Sequence, residues 1–171
     1  VIYGCFYNID LSGYELGTMS LTPVKRTGTI RSLAEPYSAL ACDAEALYGI
    51  YGDGRLVKIN KSTGEETMLT NIGIVSHYLT SAAYDSKTGI LYYASCTDAE
   101  TALYSIDFNN GYAVSKICDL QGEVCGMHIV APLAEDGAPA AVSDLTVSFG
   151  EGALSGNATF TMPSKTFAGN E

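Results

Sequence analysis

No tryptophan occurs among the 171 residues, and basic side chains are scarce: 9 Lys and Arg stand against 19 Asp and Glu, a net charge of −10. Surfaces that hold nucleic acid or anionic lipid are built from Lys and Arg, so this balance argues against both partners. No apolar run approaches the ~18 residues of a membrane-crossing helix, so no membrane insertion is expected. The chain opens Val1-Ile-Tyr-Gly4, with neither Met nor a signal-peptide pattern, and reads as an excised or processed piece of something longer. G-x-S-x-G, H-E-x-x-H, a P-loop and C-x-x-C are all missing. The motifs therefore assign no catalytic residue, no metal ligand and no cofactor. The five cysteines, Cys5, Cys42, Cys96, Cys118 and Cys125, are odd in number, and the closest two are seven residues apart. Most sit in apolar, strand-like runs and are expected to be buried free thiols acting as small hydrophobes.

Hydrophobic residues make up 47% of the chain, enough for a packed core, and 12 Tyr and 18 Gly bias it towards strands joined by tight turns. The arrangement repeats. Tyr37-Ser-Ala-Leu-Ala-Cys-Asp43 matches Leu79-Thr-Ser-Ala-Ala-Tyr-Asp85; Leu47-Tyr-Gly-Ile50 matches Leu91-Tyr-Tyr-Ala94; Leu56-Val-Lys-Ile-Asn60 matches Leu103-Tyr-Ser-Ile-Asp107. The offsets are 42, 44 and 47 residues. A partial earlier copy runs through Ile2-Tyr-Gly-Cys5 and Thr18-Met-Ser-Leu-Thr22, and a lone first strand of a fourth is expected at Val124-Cys-Gly-Met-His-Ile-Val130. Four short strands in 40 to 50 residues is the spacing of a β-propeller blade. Small residues (Ala39, Ala41, Ala82, Ala83) suit a crowded innermost strand. The middle strands are apolar on both faces, as blades stacked face to face require.

Ile59-Asn-Lys-Ser-Thr-Gly-Glu65 and Ile106-Asp-Phe-Asn-Asn-Gly-Tyr112 then become equivalent hairpins between third and fourth strands, expected to superimpose. Asn60 and Asp107 would bond the turn backbone, and Gly64 and Gly111 would supply positive φ. Asp43 and Asp85 recur at matching places and read as turn residues. Glu65-Glu66 reads as a solvated hairpin. Asp107-Phe-Asn-Asn-Gly111 has the start of a calcium loop but no later carboxylate, so no metal is assigned to it.

Asp85-Ser-Lys-Thr-Gly-Ile-Leu-Tyr92, with its contracted form Asp43-Ala-Glu-Ala-Leu-Tyr48, resembles bacterial β-propeller repeats of the Asp-x-x-x-Gly-x-Leu-Tyr type. The resemblance covers residues 1–131 and implies about three blades, the first without its innermost strand. Residues 132–141 have linker composition. Val142-Ser-Asp-Leu-Thr-Val-Ser-Phe149 alternates, a glycine turn follows at 150–152, and Asn157-Ala-Thr-Phe-Thr-Met162 is a second strand stopped by Pro163. Residues 142–171 therefore look like the start of a fibronectin type III-like domain, an incomplete immunoglobulin-like sandwich, with Phe160 in the place of the usual Trp. About 30 residues cannot complete a sandwich of ~100.

The chain is thus read as all-β: a partial propeller of four-stranded blades plus two strands of a sandwich. Propellers host many functions, so fold alone assigns none. The ligand-binding candidates are His128, near the channel, and the ring faces of Tyr51, Tyr78 and Tyr93, which could stack on sugars; blade packing is the competing account of the tyrosines. His77 and His128 have no nucleophile and acid beside them in sequence, so no triad is expected. The expected role is a non-catalytic binding or scaffold module of a secreted or surface bacterial protein, in adhesion or glycan binding. The alternative is a fragment of a propeller-containing glycan lyase, hydrolase or peptidase with its catalytic residues elsewhere. Propellers close with about four to eight blades. Three leave two apolar faces open, so a second copy, or a companion fragment of the same precursor, is expected to complete the ring.

Overall fold

The computed structural model describes residues 1–77, 80–129, 144–149 and 156–161. Tyr78, Leu79, Val130, the linker at 132–141, Val142, the glycine turn at 150–152, Met162 and Pro163 lie outside the described residues. The described residues contain no helix. The chain divides into two compact units, Val1–Ile129 and Val130–Glu171.

The first unit holds three antiparallel sheets in chain order. The first has three strands, β1 (Ile2–Asn8), β2 (Gly13–Leu21) and β3 (Val24–Leu33). The second has four, β4 (Tyr37–Cys42), β5 (Ala46–Tyr51), β6 (Arg55–Asn60) and β7 (Glu66–Asn71). The third also has four, β8 (Ser81–Asp85), β9 (Ile90–Cys96), β10 (Thr101–Asp107) and β11 (Ala113–Asp119). Each is a meander, because tight turns can join only antiparallel neighbours. β4 and β8, the small-residue strands, lie against each other.

The second sheet shows why its sequence is apolar at successive positions. All six residues of β5 are buried. Side chains alternate across a strand. Ala46, Tyr48 and Ile50 therefore join Leu56 and, from the third sheet, Leu91, Tyr93 and Ile106 in one core cluster. Leu47 and Tyr51 join Val57, Ile59 and, from the first sheet, Leu16 and Leu33 in another. Burying both faces gains about 25 cal/mol for every Å² of apolar surface removed from water. The loop at the end of β10 adds an aromatic clasp: Phe108 stacks edge-on to Tyr48 at 5.1 Å and tilted to Tyr84 at 4.9 Å.

Two expectations are corrected here. The lone strand at 124–130 does not form over its described part, 124–129, which is irregular; the segment is tied to β8 by a side-chain bond, Ser81 Oγ to the Val124 carbonyl, and joins no ladder of backbone bonds. The thiols are all free, but none is buried. Cys42, Cys118 and Cys125 are exposed, and Cys5 and Cys96 are half-buried. Cys42 ends its strand, and Cys118 lies on β11, which is exposed along its whole length.

In the second unit, β12 (Thr146–Phe149) and β13 (Gly156–Thr159) form one antiparallel hairpin, with Thr146 opposite Thr159 and Phe149 opposite Gly156. The Asp144 carboxylate accepts the Thr161 backbone N–H at 3.0 Å beside it.

Candidate functional site

The two complete sheets meet along their inner strands in an open concavity of about 280 Å³, lined by Ser38, Thr80, Ser81, Cys125 and Met127 among others. Two of its hydroxyls are already engaged. Thr80 Oγ1 donates to the Ser38 carbonyl at 2.6 Å, and Ser81 Oγ to the Val124 carbonyl at 2.9 Å. The first bond ties the inner strands of neighbouring sheets; the second holds the 124–129 segment beside β8.

The sequence candidates fall in different places. Tyr93 is 0% exposed and its hydroxyl donates to Ser76 Oγ at 2.6 Å. Tyr51 is 5% exposed, between Tyr37 (rings 4.9 Å apart) and the Arg55 guanidinium (4.2 Å above its ring). Neither ring has a face open to solvent. His128 is exposed on the irregular segment, and Tyr78 lies outside the described residues. His77 donates its backbone N–H to the Cys96 carbonyl at 2.7 Å, with Nε2 3.4 Å from an Asp98 carboxylate oxygen. Among the described residues, no three His, Cys, Asp or Glu side chains gather as a metal site would require.

The acidic residues hold turns. Asp43 accepts the N–H groups of Glu45 and Ala46, each at 2.7 Å, and the Tyr48 hydroxyl at 2.8 Å. Burial pulls its carboxyl upward, but the Ala46 N–H, the Tyr48 hydroxyl and the Glu45 N–H outweigh it and hold Asp43 below the usual carboxylate range. Asp85 accepts the Thr88 hydroxyl at 2.8 Å and the Lys87 N–H at 3.0 Å, which keep it low as well.

The two phrases taken as twins differ. Asn60 accepts the Ser62 N–H at 2.8 Å and the Gly64 N–H closes on the Asn60 carbonyl at 2.8 Å, with Gly64 at φ +69. Asp107 accepts the Asn109 N–H at 2.9 Å, but there the Tyr112 N–H closes on the Asp107 carbonyl, and both Gly111 (φ +58) and Tyr112 (φ +62) are left-handed. The closing bond spans one residue more here, and two residues rather than one are left-handed, so the two turns differ in backbone conformation. The geometric twin of Asn60-Lys-Ser-Thr-Gly64 is Asp85-Ser-Lys-Thr-Gly89: the Gly89 N–H closes on the Asp85 carbonyl at 2.8 Å and Gly89 has φ +70. The shared Asn/Asp-x-x-Thr-Gly wording was the available signal. The 60–64 turn also touches the first sheet, where Arg31 donates to the Gly64 carbonyl at 2.8 Å.

Glu66, read as solvated, is instead a shared acceptor. Tyr37 donates to it at 2.6 Å and Tyr51 at 3.0 Å. Burial, and then the carboxylate, raise the Tyr37 hydroxyl strongly. Burial first, then Glu66, push Tyr51 up to about 12, against an opposing hydrogen bond from Tyr37. Both phenols therefore stay protonated donors at neutral pH.

No protein-family model and no curated protein matches the chain. Solved structures do. The crystal structure of a nidogen/laminin complex aligns with TM-score 0.52 and 17% identity, over 72% of this chain and 50% of that one. A structural genomics protein of unknown function from Bacteroides thetaiotaomicron aligns with TM-score 0.51 and 16% identity, over 68% of this chain and 30% of that one. TolB from Acinetobacter baumannii aligns with TM-score 0.49 and 14% identity, over 95% of this chain and 41% of that one. At these identities the likeness is one of fold. The chain is an all-β, β-propeller-type structure that spans half or less of the solved chains it matches.

Proposed function

We propose that this chain is a non-catalytic binding or scaffold segment of a β-propeller, carried by a secreted or surface-anchored bacterial protein and serving adhesion or glycan binding. The observation that carries this reading is the use made of its acids. Glu15, Asp43, Glu66 and Asp85 each accept a hydrogen bond from their own sheet, so the recurring carboxylates are spent on turns and sheet contacts. General acid–base chemistry needs a titrating group that faces a substrate. Propeller-type neighbours, one of them solved as a complex between proteins, support a binding or scaffold role.

The test is a glycan array and a surface-protein binding screen with the purified chain, alongside lyase and hydrolase assays on every glycan retained. Saturable binding without turnover supports the reading. Turnover by this chain that is abolished by substituting one of its own carboxylates would overturn it.

A further inference from the structure

The sequence contains a single Asn-Gly pair, Asn110-Gly111, in the hairpin between β10 and β11. Asparagine is thermolabile, because the backbone nitrogen of the next residue can attack its side-chain carbonyl carbon. In a fold that attack is blocked when the side-chain amide, or the following N–H, is held by a hydrogen bond. The other asparagines of the first unit are held. Asn8 Nδ2 donates to Glu15 at 3.0 Å, and Asn109 Nδ2 to the Thr88 carbonyl at 2.8 Å. Asn60 Oδ1 accepts the Ser62 N–H, and Asn71 Oδ1 the Gly73 N–H, each at 2.8 Å.

Asn110 is not held. Its side chain is exposed and makes no hydrogen bond among the described residues, and neither does the Gly111 N–H. In the two Thr-Gly turns the glycine N–H closes the turn, Gly64 on Asn60 and Gly89 on Asp85. Here the closing bond belongs to Tyr112, which leaves the Gly111 nitrogen unengaged. Gly111 has no side chain to shield that nitrogen, and nothing lies within 4 Å of where one would begin. The exposure does not depend on what lies beyond the third sheet. Ser62 and Thr63 hold the corresponding tip of the second sheet, which has a sheet packed on either side, and they are exposed too.

We propose that Asn110 is a site of spontaneous deamidation in the native fold, and that the product opens the turn carrying Phe108. The Gly111 nitrogen attacks Asn110 Cγ. The N–Cγ bond forms, the Cγ–Nδ2 bond breaks, and ammonia leaves with the proton that Gly111 loses. Water then opens the cyclic imide. Attack at Cγ gives aspartate; attack at the former backbone carbonyl gives isoaspartate, whose main chain runs through Cβ and Cγ. Nothing is oxidised or reduced. Either product adds a negative charge close to Asp107, in a chain already at −10. Isoaspartate also lengthens the backbone inside the loop that the Tyr112 N–H closes on the Asp107 carbonyl at 2.8 Å. It turns the carbonyl that accepts the Ala113 N–H at 3.1 Å into a free carboxylate. Phe108 and Tyr112, their rings 5.1 Å apart, flank this loop, and Phe108 also reaches Tyr48 of the second sheet. The clasp between the two sheets thus rests on an amide that the fold leaves open to loss.

The experiment ages the purified 171-residue chain in warm, mildly alkaline buffer, beside a sample unfolded in urea, and follows ammonia, peptide masses and isoaspartyl content. Ammonia release should map to Asn110 at comparable rates in the two samples. It should quicken as pH rises, because the attacking nitrogen must lose its proton. Asn8, Asn60, Asn71 and Asn109 should keep their amides in the native sample. Asn110→Ser removes no side-chain contact and should abolish the release. Converted protein should exchange the Tyr112 and Ala113 amides faster, whereas aged Asn110→Ser should exchange like fresh protein. Three results overturn the proposal. One is native protein that keeps the Asn110 amide while the unfolded sample loses it, which would show that the fold shields the site. Another is a different asparagine reacting first. The third is converted protein whose Tyr112 and Ala113 amides exchange as before, which would show that the turn absorbs the change.

Discussion

Removing the Asp43 carboxylate would strand two backbone N–H groups and the Tyr48 hydroxyl at once. A partly buried donor left without an acceptor costs about 1–3 kcal/mol. Asp43→Ala is therefore expected to lower stability by about that amount in urea melts. Asp43→Asn, which keeps one side-chain oxygen, should lose much less. If Asn were as damaging as Ala, the charge would be holding the turn through Lys61, whose Nζ lies 2.6 Å from the Asp43 carbonyl. The turn glycines separate conformation from contact. Gly64 and Gly111 both sit at positive φ, where an L side chain costs about 1–2 kcal/mol. A methyl group at Gly111 meets open space, but at Gly64 it would lie 2.7 Å from Arg31 Cβ. Gly64→Ala should thus destabilise clearly more than Gly111→Ala in the same melts; equal losses would mean that the first sheet gives way freely at this contact.

Strands and their pairing explain which parts could be read from sequence. β5 and β9 were legible because a strand buried on both faces must be apolar at successive positions, and the repeat spacing then assigned them to stacked sheets. The turns were half legible. Asn60 and Gly64 were identified by type, but the match to Asp107–Gly111 weighed likeness of wording over which N–H closes the turn, and the truer twin, Asp85–Gly89, joins a different pair of strands. Glu66 was illegible, since nothing local to "Gly-Glu-Glu-Thr" says that the outermost strand brings it under Tyr37 from 29 residues away. The 124–129 strand was misread because a strand is defined by its partner, which neighbouring residues do not encode. The Tyr37–Tyr51–Glu66 group carries a pH signature. The Tyr51 hydroxyl is raised from about 10 in an unfolded chain to about 12 in the fold. Above pH ~10 the unfolded chain binds fewer protons than the native one, so stability falls as pH rises. The contribution is complete below pH ~10 and is lost as pH climbs towards about 12. Thermal midpoints should decline through that window, and Tyr51→Phe should flatten the decline; an unchanged slope would assign it to other tyrosines. On β9, the hydroxyl of Ser95 is buried and has no hydrogen-bond partner among the described residues. Ser95→Ala should therefore be neutral or slightly stabilising, by up to about 1 kcal/mol, as judged by the same melts.

Three sheets that each touch only their neighbours make a short array, and in such arrays stability is close to a sum of unit terms and interface terms. The second sheet shares both interfaces, the first and third one each. Phe108 is the clearest handle on a single interface. It projects from the third sheet's outer hairpin, stacks on Tyr48 of the second sheet, and also contacts Tyr84 and Tyr112 of its own. Its loss removes aromatic contacts worth about 0.5–1.5 kcal/mol each beyond simple burial; the one to Tyr48 lies between the second and third sheets, those to Tyr84 and Tyr112 lie within the third, and none reaches the first. Local opening follows local stability, so amide exchange reports where the loss lands. In Phe108→Ala, the amides of β8 to β10 should exchange faster. Those of β1 to β3 should be unaffected, because their contact with the second sheet runs through Leu47, Tyr51, Val57 and Ile59 on its opposite face. β5 and β6 should fall between, still held from one side. A uniform acceleration across all three sheets would show instead that the unit opens as one cooperative body and that the interfaces are not separable.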